Sequence, residues 1–540
     1  MGPSRRVLWI ALSLAVPGSA LSAAAASAQF FAPAVQALEL STAPLSRSPR
    51  LVGMGGLTLV VPDRDNALDL WDFAGIPVGA ISHDSTSTLD MRPGSQAASG
   101  EHDLGGGLTR QDLGARTMLF QVESFHRPSD GGSTFGLVGE VDNLTSNTPF
   151  SPGTEERESV RLPYVQPILG GPVPFMLGGR LQYALHLRIA AEHLHDQYRE
   201  IINNAAGQWL DQNGTEVTPP NFFDPVDYTV KTAELGASLA YPFGRRTRFA
   251  LGFSGVRNQI RGTNNGDRYS SGRDENRPFA VGQSALVGSL GAHLDYGVSG
   301  RAWSGTSEQE WRFSTSGGAG GLPFTGRGKL LDRKEQGSTL DARARWHAGR
   351  LELGGSLSTR ASKVIVDPPG EGDLTSLNYF INNVVLAQKG ADTLALPDSV
   401  VHDDARHYAV AYAGGLSWSF GRGIAGAEYH WTRDLAQALV AGLGPRYVSW
   451  DVRGGLEWRL NPVLRGRLGY RRERVDLDTY TQGNEYVGDT GTFGIGLTPA
   501  GATWSTEIGY AYEWRRTDFP DPLAGRQGRQ YLAAQLHWMF

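Results

Sequence analysis

Two-residue alternation, sustained over unusually long runs, is the feature that most limits what this chain can become. Trp504, Thr506, Ile508, Tyr510, Tyr512 and Trp514 alternate with Ser505, Glu507, Gly509, Ala511, Glu513 and Arg515. Val448, Trp450, Val452, Gly454, Leu456, Trp458 and Leu460 alternate with Ser449, Asp451, Arg453, Gly455, Glu457 and Arg459. Residues 408–420 and 532–540 repeat the scheme. A period of two belongs to a β-strand with different surroundings on its two faces. Ordinary strands average roughly 5–6 residues, whereas a tilted strand crossing a bilayer needs about 9–11. One face here is apolar and tipped with Trp, Tyr or Phe, as at a lipid interface. The other carries charges of both signs and many glycines. In lipid every backbone polar group needs a partner, and a closed barrel supplies one without leaving an edge. A soluble β-sandwich also alternates, but it buries its apolar face on a second sheet and has no need of such length.

The connections are an independent test. Gly421-Arg422-Gly423, Asn461-Pro462 and Pro499-Ala500-Gly501 read as tight turns, separated by polar loops at 432–447, 475–489 and 515–529. Outer-membrane barrels have short periplasmic turns and longer outer loops. With Phe540 in the periplasm, every short turn falls inside and every long loop outside, through the last seven strands. Upstream, strands are expected at 181–189, 235–243, 249–253, 286–298, 340–346 and 351–359, with a weaker one at 311–316. Turns are expected at 244–246 and 347–350, and long extracellular loops near 195–228, 259–283, 318–336 and 364–406. The expected fold is all-β, a transmembrane antiparallel β-barrel of about 14–18 strands, with 14–16 the favoured count. About 14 of these follow Gly179, and residues 105–168 add two or four.

Arg5 and Arg6 precede an apolar stretch at 7–16, Pro17-Gly18 breaks it, and small residues lead to Ala26-Ser27-Ala28. This three-part pattern is that of a secretory signal peptide with an A-x-A site. The apolar run is too short to span a bilayer, which takes about 20 residues. The expected organisation is a signal peptide at 1–28, an N-terminal segment at 29–100 able to act as a hatch or plug, and a barrel at 101–540.

The chain has 540 residues, no cysteine, 70 glycines and a formal net charge of −5. An exported chain of this size without disulfides draws its stability from elsewhere. No later stretch is apolar enough for a spanning helix. A nucleic-acid partner would call for a basic surface that this charge balance does not favour.

Two short stretches resemble known outer-membrane sequences. Residues 48–75 read SPRLVGMGGLTLVVPDRDNALDLWDFAG. This resembles the N-terminal segment of the FadL-like outer-membrane transport proteins and of PorV-like barrels. Gly53, Met54, Gly55 and Gly56 match their Gly-Met-Gly-Gly stretch, Asn66 and Ala67 their Asn-Ala, and Ala74 and Gly75 the end of their Asn-Pro-Ala-Gly. Asp72 and Phe73 stand where those proteins have Asn-Pro. The resemblance implies a hatch inside the barrel, passage of hydrophobic compounds, and a ligand pocket to which Trp71 also contributes. It covers 28 of 540 residues. The chain end, Ala534, Leu536, Trp538 and Phe540, is similar to the terminal signal read by the barrel-assembly machinery. That implies this machinery as a partner, beside outer-membrane lipid and a small hydrophobic ligand.

Other chemistry is weaker. Asp63, Asp65 and Asp69 lack the order and glycine of a calcium loop. His193 and His195, beside Glu192 and Asp196, share one strand face at a spacing zinc could use, yet suit a strand rim as well. His126, His407 and His430 have acids or serines in the same broad regions, as a rim-located hydrolase would need, but no G-x-S-x-G pattern accompanies them. No catalytic residue, metal or cofactor is assigned, and no enzyme is expected. Arg453, Glu457, Arg459, Arg465, Arg467 and Arg471 would face the lumen, since a lipid-facing Arg costs about 2–4 kcal/mol at mid-membrane. The expected function is passive uptake of small hydrophobic compounds through a barrel plugged by its N-terminal segment. The alternative is a general aqueous porin or a secretion or surface scaffold in the bacterial outer membrane.

Overall fold

A computed structural model describes residues 48–61, 76–82 and 87–540, apart from 103–110, 129–131, 152–153, 174–175, 177–179, 201, 204–208, 211–223, 244–246, 266–268, 316–323, 368–404, 439–445, 479–482 and 519–524. Two short helices precede the sheet, α1 (Pro49–Gly53) and α2 (Pro77–Ser82). The first nine strands are β1 (Thr88–His102), β2 (Gln111–His126), β3 (Thr134–Ser151), β4 (Thr154–Pro172), β5 (Gln182–Glu200), β6 (Asp224–Phe243), β7 (Thr247–Asn265), β8 (Tyr269–Leu290) and β9 (Leu294–Thr315). The rest are β10 (Phe324–Ala348), β11 (Leu351–Asp367), β12 (Ala405–Phe420), β13 (Gly423–Ala438), β14 (Arg446–Arg459), β15 (Leu464–Asp478), β16 (Gly483–Leu497), β17 (Trp504–Asp518) and β18 (Gly525–Met539).

Each strand pairs antiparallel with its neighbours in sequence, and β1 pairs with β18, Thr88 opposite Met539 and His102 opposite Gly525. The sheet is therefore a closed barrel of eighteen strands. Fourteen follow Gly179, and β1–β4 supply four more, the upper end of the expected count. The first strand starts at Thr88, inside the stretch set before the barrel by sequence.

Strand parity divides the faces as the alternation implies. Leu468 and Tyr470, Phe493 and Ile495, Leu235 and Phe253, and Trp418 and Trp514 are exposed on the outside. Arg467, Glu457, Glu428, Gln535 and Arg277 are buried on the inside. This is an outer-membrane type of barrel, with an apolar outer band and a polar interior.

Three details of the sequence reading change. Residues 286–298 are not one strand: Gly291, at φ 66°, turns the chain between Leu290 and Leu294, which lie opposite each other. The three-residue turn keeps even-numbered residues outward on both sides, so the alternation runs through it unbroken. Residues 311–316 mostly form the far end of β9 rather than a strand of their own. Much of the expected loop at 259–283 is also strand, because only residues 266–268 separate β7 from β8. There the outward Asp274 and Asn276 and the inward Glu275 and Arg277 are all polar, so the amphipathic contrast that marks a strand is lost.

Candidate functional site in the lumen

The inner wall of β11–β17 carries glycine in every strand, close to one level. Gly354 lies opposite Gly415, Gly426 opposite Gly455, Gly455 opposite Gly469, and Gly494 opposite Gly509. Residues 48–61 lie flat across them. A Cβ on Gly509 would fall 2.3 Å from the carbonyl oxygen of Pro49, and one on Gly494 3.1 Å from Cα of Gly53. On Gly469 it would fall 2.1 Å from the amide nitrogen of Gly55, and on Gly455 2.3 Å from the carbonyl oxygen of Met54. Further along, Gly426 meets Leu57, Gly415 meets Val60, and Gly354 meets Leu59 and Val60. A larger residue at Gly455, Gly469, Gly494 or Gly509 would stand in the backbone of the segment, and one at Gly354, Gly415 or Gly426 would press on its Leu and Val side chains.

The segment's own glycines answer to the same geometry. Ser48 caps α1, its hydroxyl accepting from the amide of Leu51 at 3.4 Å, and Pro49 opens the first turn. Gly53 touches Gly494 across the wall. Gly55 and Gly56 follow with φ of 75° and 79°, a conformation open to glycine at little cost. Leu51, Met54, Leu57, Leu59, Val60 and Val61 form one buried cluster.

Wall side chains take up the segment's backbone polar groups. The Glu428 carboxylate accepts the amides of Thr58, Leu59 and Val60 at 2.9, 2.6 and 2.9 Å. Ser417 donates to the carbonyl of Val60 at 3.0 Å. Thr492 accepts from the amide of Gly55 and donates to the carbonyl of Gly53. Arg453 donates to the carbonyl of Gly56 at 2.7 Å, and Arg50 binds Glu457 through two nitrogens. Carboxylate and guanidinium hydrogen bonds are the stronger class.

A second stretch meets the barrel about half a turn away. Around α2, Ile76 and Val78 pack with Ala184, Ala240, Ala250, Ala285 and Val287 on β5–β8, and the Val78 amide donates to Ser238. Here the wall makes room mostly with alanine, and Gly252 also lies beneath Ile76.

Of the candidates read from sequence, Gly53, Met54, Gly55 and Gly56 are therefore on the inner wall. Asn66, Ala67, Trp71, Ala74 and Gly75, with Asp63, Asp65 and Asp69, lie outside the described residues. Among the lumen charges, Arg467 binds Glu457 at 2.6 Å and also Glu507, and is fully buried. Arg453 binds Asp451, and Arg471 binds Asp451 and Glu473. Arg459 and Arg465 face each other beside the turn at 460–463. Trp538 and Phe540 are exposed at the end of the wall, the Trp538 indole donating to Thr503.

The histidines are drawn into wall pairs. His430 bonds the same Glu428 that holds the segment, His195 bonds Asp227, and His407 pairs with Asp434. Among the described residues no group of three or more His, Asp or Glu is placed to hold a metal ion. The sequence reading missed Glu428, Thr492, Ser417 and Ser238. Only the belt of inward glycines left a trace, visible once strand parity is fixed.

No protein-family model matches the sequence, and no curated protein does. Among solved structures, the chain is similar to the ferric yersiniabactin uptake receptor FyuA from Yersinia pestis, at TM-score 0.43 and 10% identity, over 85% of this chain and 80% of that one. It is similar to a Pseudomonas aeruginosa FadL homologue at TM-score 0.33 and 12% identity, over 92% and 97% of the two chains. It is also similar to the Ralstonia pickettii toluene transporter TbuX, at TM-score 0.35 and 9% identity, over 93% and 100%.

Proposed function

We propose that this barrel sits in a bacterial outer membrane and serves passive uptake of small hydrophobic compounds, with its N-terminal segment as a hatch in the lumen. The observation that carries this reading is the seating of residues 48–61 across the glycine belt of seven strands. A wall shaped to one segment's backbone argues for a permanent occupant. The second attachment, at Ile76 and Val78 on the β5–β8 side, brings the chain to the opposite wall. An open aqueous pore has no use for either feature. The inward charges on β14 and β15 also lend little to a porin, since Arg453, Glu457, Arg467 and Arg471 are engaged in ion pairs. The inner wall keeps apolar patches, which suit a ligand site of mostly apolar lining with a few placed polar groups.

The test is flux through the purified protein in liposomes. The expected result is entry of small apolar aromatic probes with exclusion of sugars and ions. Free passage of sugars and ions would establish the porin instead, and passage of nothing would favour a scaffold. Trp538 and Phe540 are proposed as the tail read by the barrel-assembly machinery.

A further inference from the structure

The outer face of β6 and β7 changes character abruptly with height. Upward from the ends of the two strands at Phe243 and Thr247, it shows Phe243, Leu239 and Leu235 on β6 and Leu251 and Phe253 on β7, all exposed. The first outward charges above them are Lys231 on β6 and Arg257 on β7, with Arg261 one outward position higher, and all three are exposed. Phe249 and Arg257 are about 27 Å apart along a tilted strand, and the apolar band of such barrels is about 25 Å tall. These cations therefore stand at the upper edge of the apolar band, where lipid headgroups begin.

The three cations surround one amide. Lys231 lies opposite Gln259, and Arg257 and Arg261 flank Gln259 on the same face of β7. Diagonal neighbours on one sheet face are about 7–8 Å apart, so the three form a triangle of positions about Gln259. Their present engagements are light. The Arg257 Nε donates to the side-chain oxygen of Asn276 at 2.9 Å, Arg261 lies 3.8 Å from Asp274, and Lys231 has no hydrogen bond or ion pair among the described residues. The acids on the outer face nearby have closer partners or stand further off. Arg312 holds Asp274 at 2.8 Å, and His195 holds Asp227 at 2.6 Å. Glu308 and Glu310 stand a strand further on, on β9, opposite Asn276 and Asp274. Like charges on neighbouring positions of a sheet face repel, and a shared anion relieves them. Arginine meets a phosphate through two parallel bonds and lysine meets it as a point charge.

The wall directly below says what carries that anion. Gly255, one outward position under Arg257, lies between Leu235 on β6 and Ala280 on β8. A Cβ on Gly255 would meet nothing within 4 Å. Leu235 and Phe253 are each 68% exposed, more than any other large apolar side chain among the described residues. The outer wall thus has a depression bordered by two projecting apolar side chains, immediately beneath the cations. A free phosphate or a peptide has no use for that pairing. A lipid does, with its charged headgroup above and an acyl chain below.

We propose that Lys231, Arg257, Arg261 and Gln259 bind the headgroup phosphate of a phosphorylated lipid in the outer leaflet, and that the depression at Gly255, between Leu235 and Phe253, seats one of its acyl chains. This rests on the outer-membrane placement of the barrel and not on uptake, since binding is measured without flux.

The experiment titrates the full-length protein in detergent with diphosphoryl lipid A and with the same lipid stripped of its phosphates, and reads the bound lipid by native mass spectrometry. The wild type should retain the phosphorylated lipid about tenfold or more tightly, with the advantage shrinking as salt rises. Lys231→Gln with Arg257→Gln should remove the advantage, and Lys231→Arg with Arg257→Lys should keep part of it. Arg472→Gln, which changes an exposed arginine on β15 beside Asp489, should leave it unchanged. Heat-modifiable mobility on gels checks that each variant is folded. Equal retention of the two lipids by the wild type overturns the site, as does a ratio unmoved by the double glutamine variant or lowered as far by Arg472→Gln. Release of the lipid by an equal concentration of inorganic phosphate would show a site for the ion alone and overturn the lipid assignment. Flux without phosphate preference removes this site and keeps the channel. Phosphate preference without flux keeps the site and removes the channel.

Discussion

The carboxylate of Glu428 accepts the amide of Leu59 at 2.6 Å, across 369 residues of chain. The same carboxylate also holds Thr58 and Val60 and is steadied by His430. One inward acid thus fixes three consecutive amides of the N-terminal segment, and it is only 2% exposed. Hydrogen bonds to a charged group contribute roughly 1.5–3 kcal/mol each, without strict additivity. Glu428→Ala should therefore weaken docking of residues 48–61 by about 3 kcal/mol, a change on the order of 100-fold in the undocked population. Glu428→Gln, which keeps one acceptor, should fall between. Protease cleavage within 48–61 of the intact protein reads this directly. Cleavage as slow as in the wild type would show that Glu428 is not the anchor.

The glycine belt makes a steric prediction that separates it from ordinary strand glycine. Gly469→Val places side-chain carbon where the amide of Gly55 lies, while Gly255 faces outward with nothing within 4 Å of an added Cβ. Overpacking typically costs about 1–3 kcal/mol, and backbone against backbone belongs at the upper end. Gly469→Val should lower thermal stability in detergent and expose residues 48–61, while Gly255→Val should do neither. Equal melting temperatures for the two would remove the belt's special role.

The strands were legible because lipid and lumen impose opposite demands on alternate residues. Where that contrast fades, so did the reading. At 269–278 both faces of β8 are polar, and a strand passed for loop. At Gly291 a turn of odd length kept Leu290 and Leu294 in phase, and two strands passed for one. The lumen was less legible. Gly55 and Gly56 could be marked as unusual from sequence, and their positive φ explains them. Glu428 and Thr492 could not, because nothing local distinguishes an inward acid that holds a segment 369 residues away from one that pairs with its neighbour. The acid–arginine pairs of β14 and β15 were visible as inward charges, but their partners Arg50 and Glu507 come from elsewhere in the chain.

The described turns and the strand ends Ala438, Asp478 and Asp518 lie at opposite ends of the barrel, and their sidedness can be tested. With residues 421–422, 460–463 and 498–503 at one end and the strand ends Ala438, Asp478 and Asp518 at the other, single cysteines can be placed in a chain that has none. An impermeant thiol reagent on intact cells should label cysteines at 439–445 and 519–524 and spare those at 421–422 and 498–503. Labelling of the second pair alone would invert the orientation.

The chain end offers a kinetic prediction. Trp538 and Phe540 are exposed on the outer face, and the amide of Phe540 donates to the carbonyl of Ser87 beside the closing β1–β18 seam. Replacing both with serine removes two aromatic contacts that face lipid and leaves the seam's backbone pairing intact. Export should continue while heat-modifiable protein in the outer membrane falls several-fold. Wild-type amounts of folded protein there would show that the two residues are not read during assembly.

Removal of residues 29–75 is the sharpest test of the hatch. All eighteen strands find their partners within the sheet, and β1 closes on β18 without help from the segment. The truncated chain should therefore still form a barrel. What it loses is the apolar cluster of Leu51, Met54, Leu57 and Val60, together with the acceptors and donors that satisfy Glu428, Thr492 and Arg453. These wall groups would then face a water-filled lumen, where hydration replaces the lost bonds at small net cost. Arg467 keeps Glu507, and Glu457 keeps Arg467 after Arg50 is gone. With the segment absent, single-channel conductance in planar bilayers should rise well above that of the intact protein. Adding back a synthetic peptide of residues 48–61 should lower it only if docking on the glycine belt itself narrows the path. Unchanged conductance after truncation would mean that residues 29–75 do not restrict the lumen. A truncated chain that cannot fold would make the segment part of the barrel's own wall rather than a hatch within it.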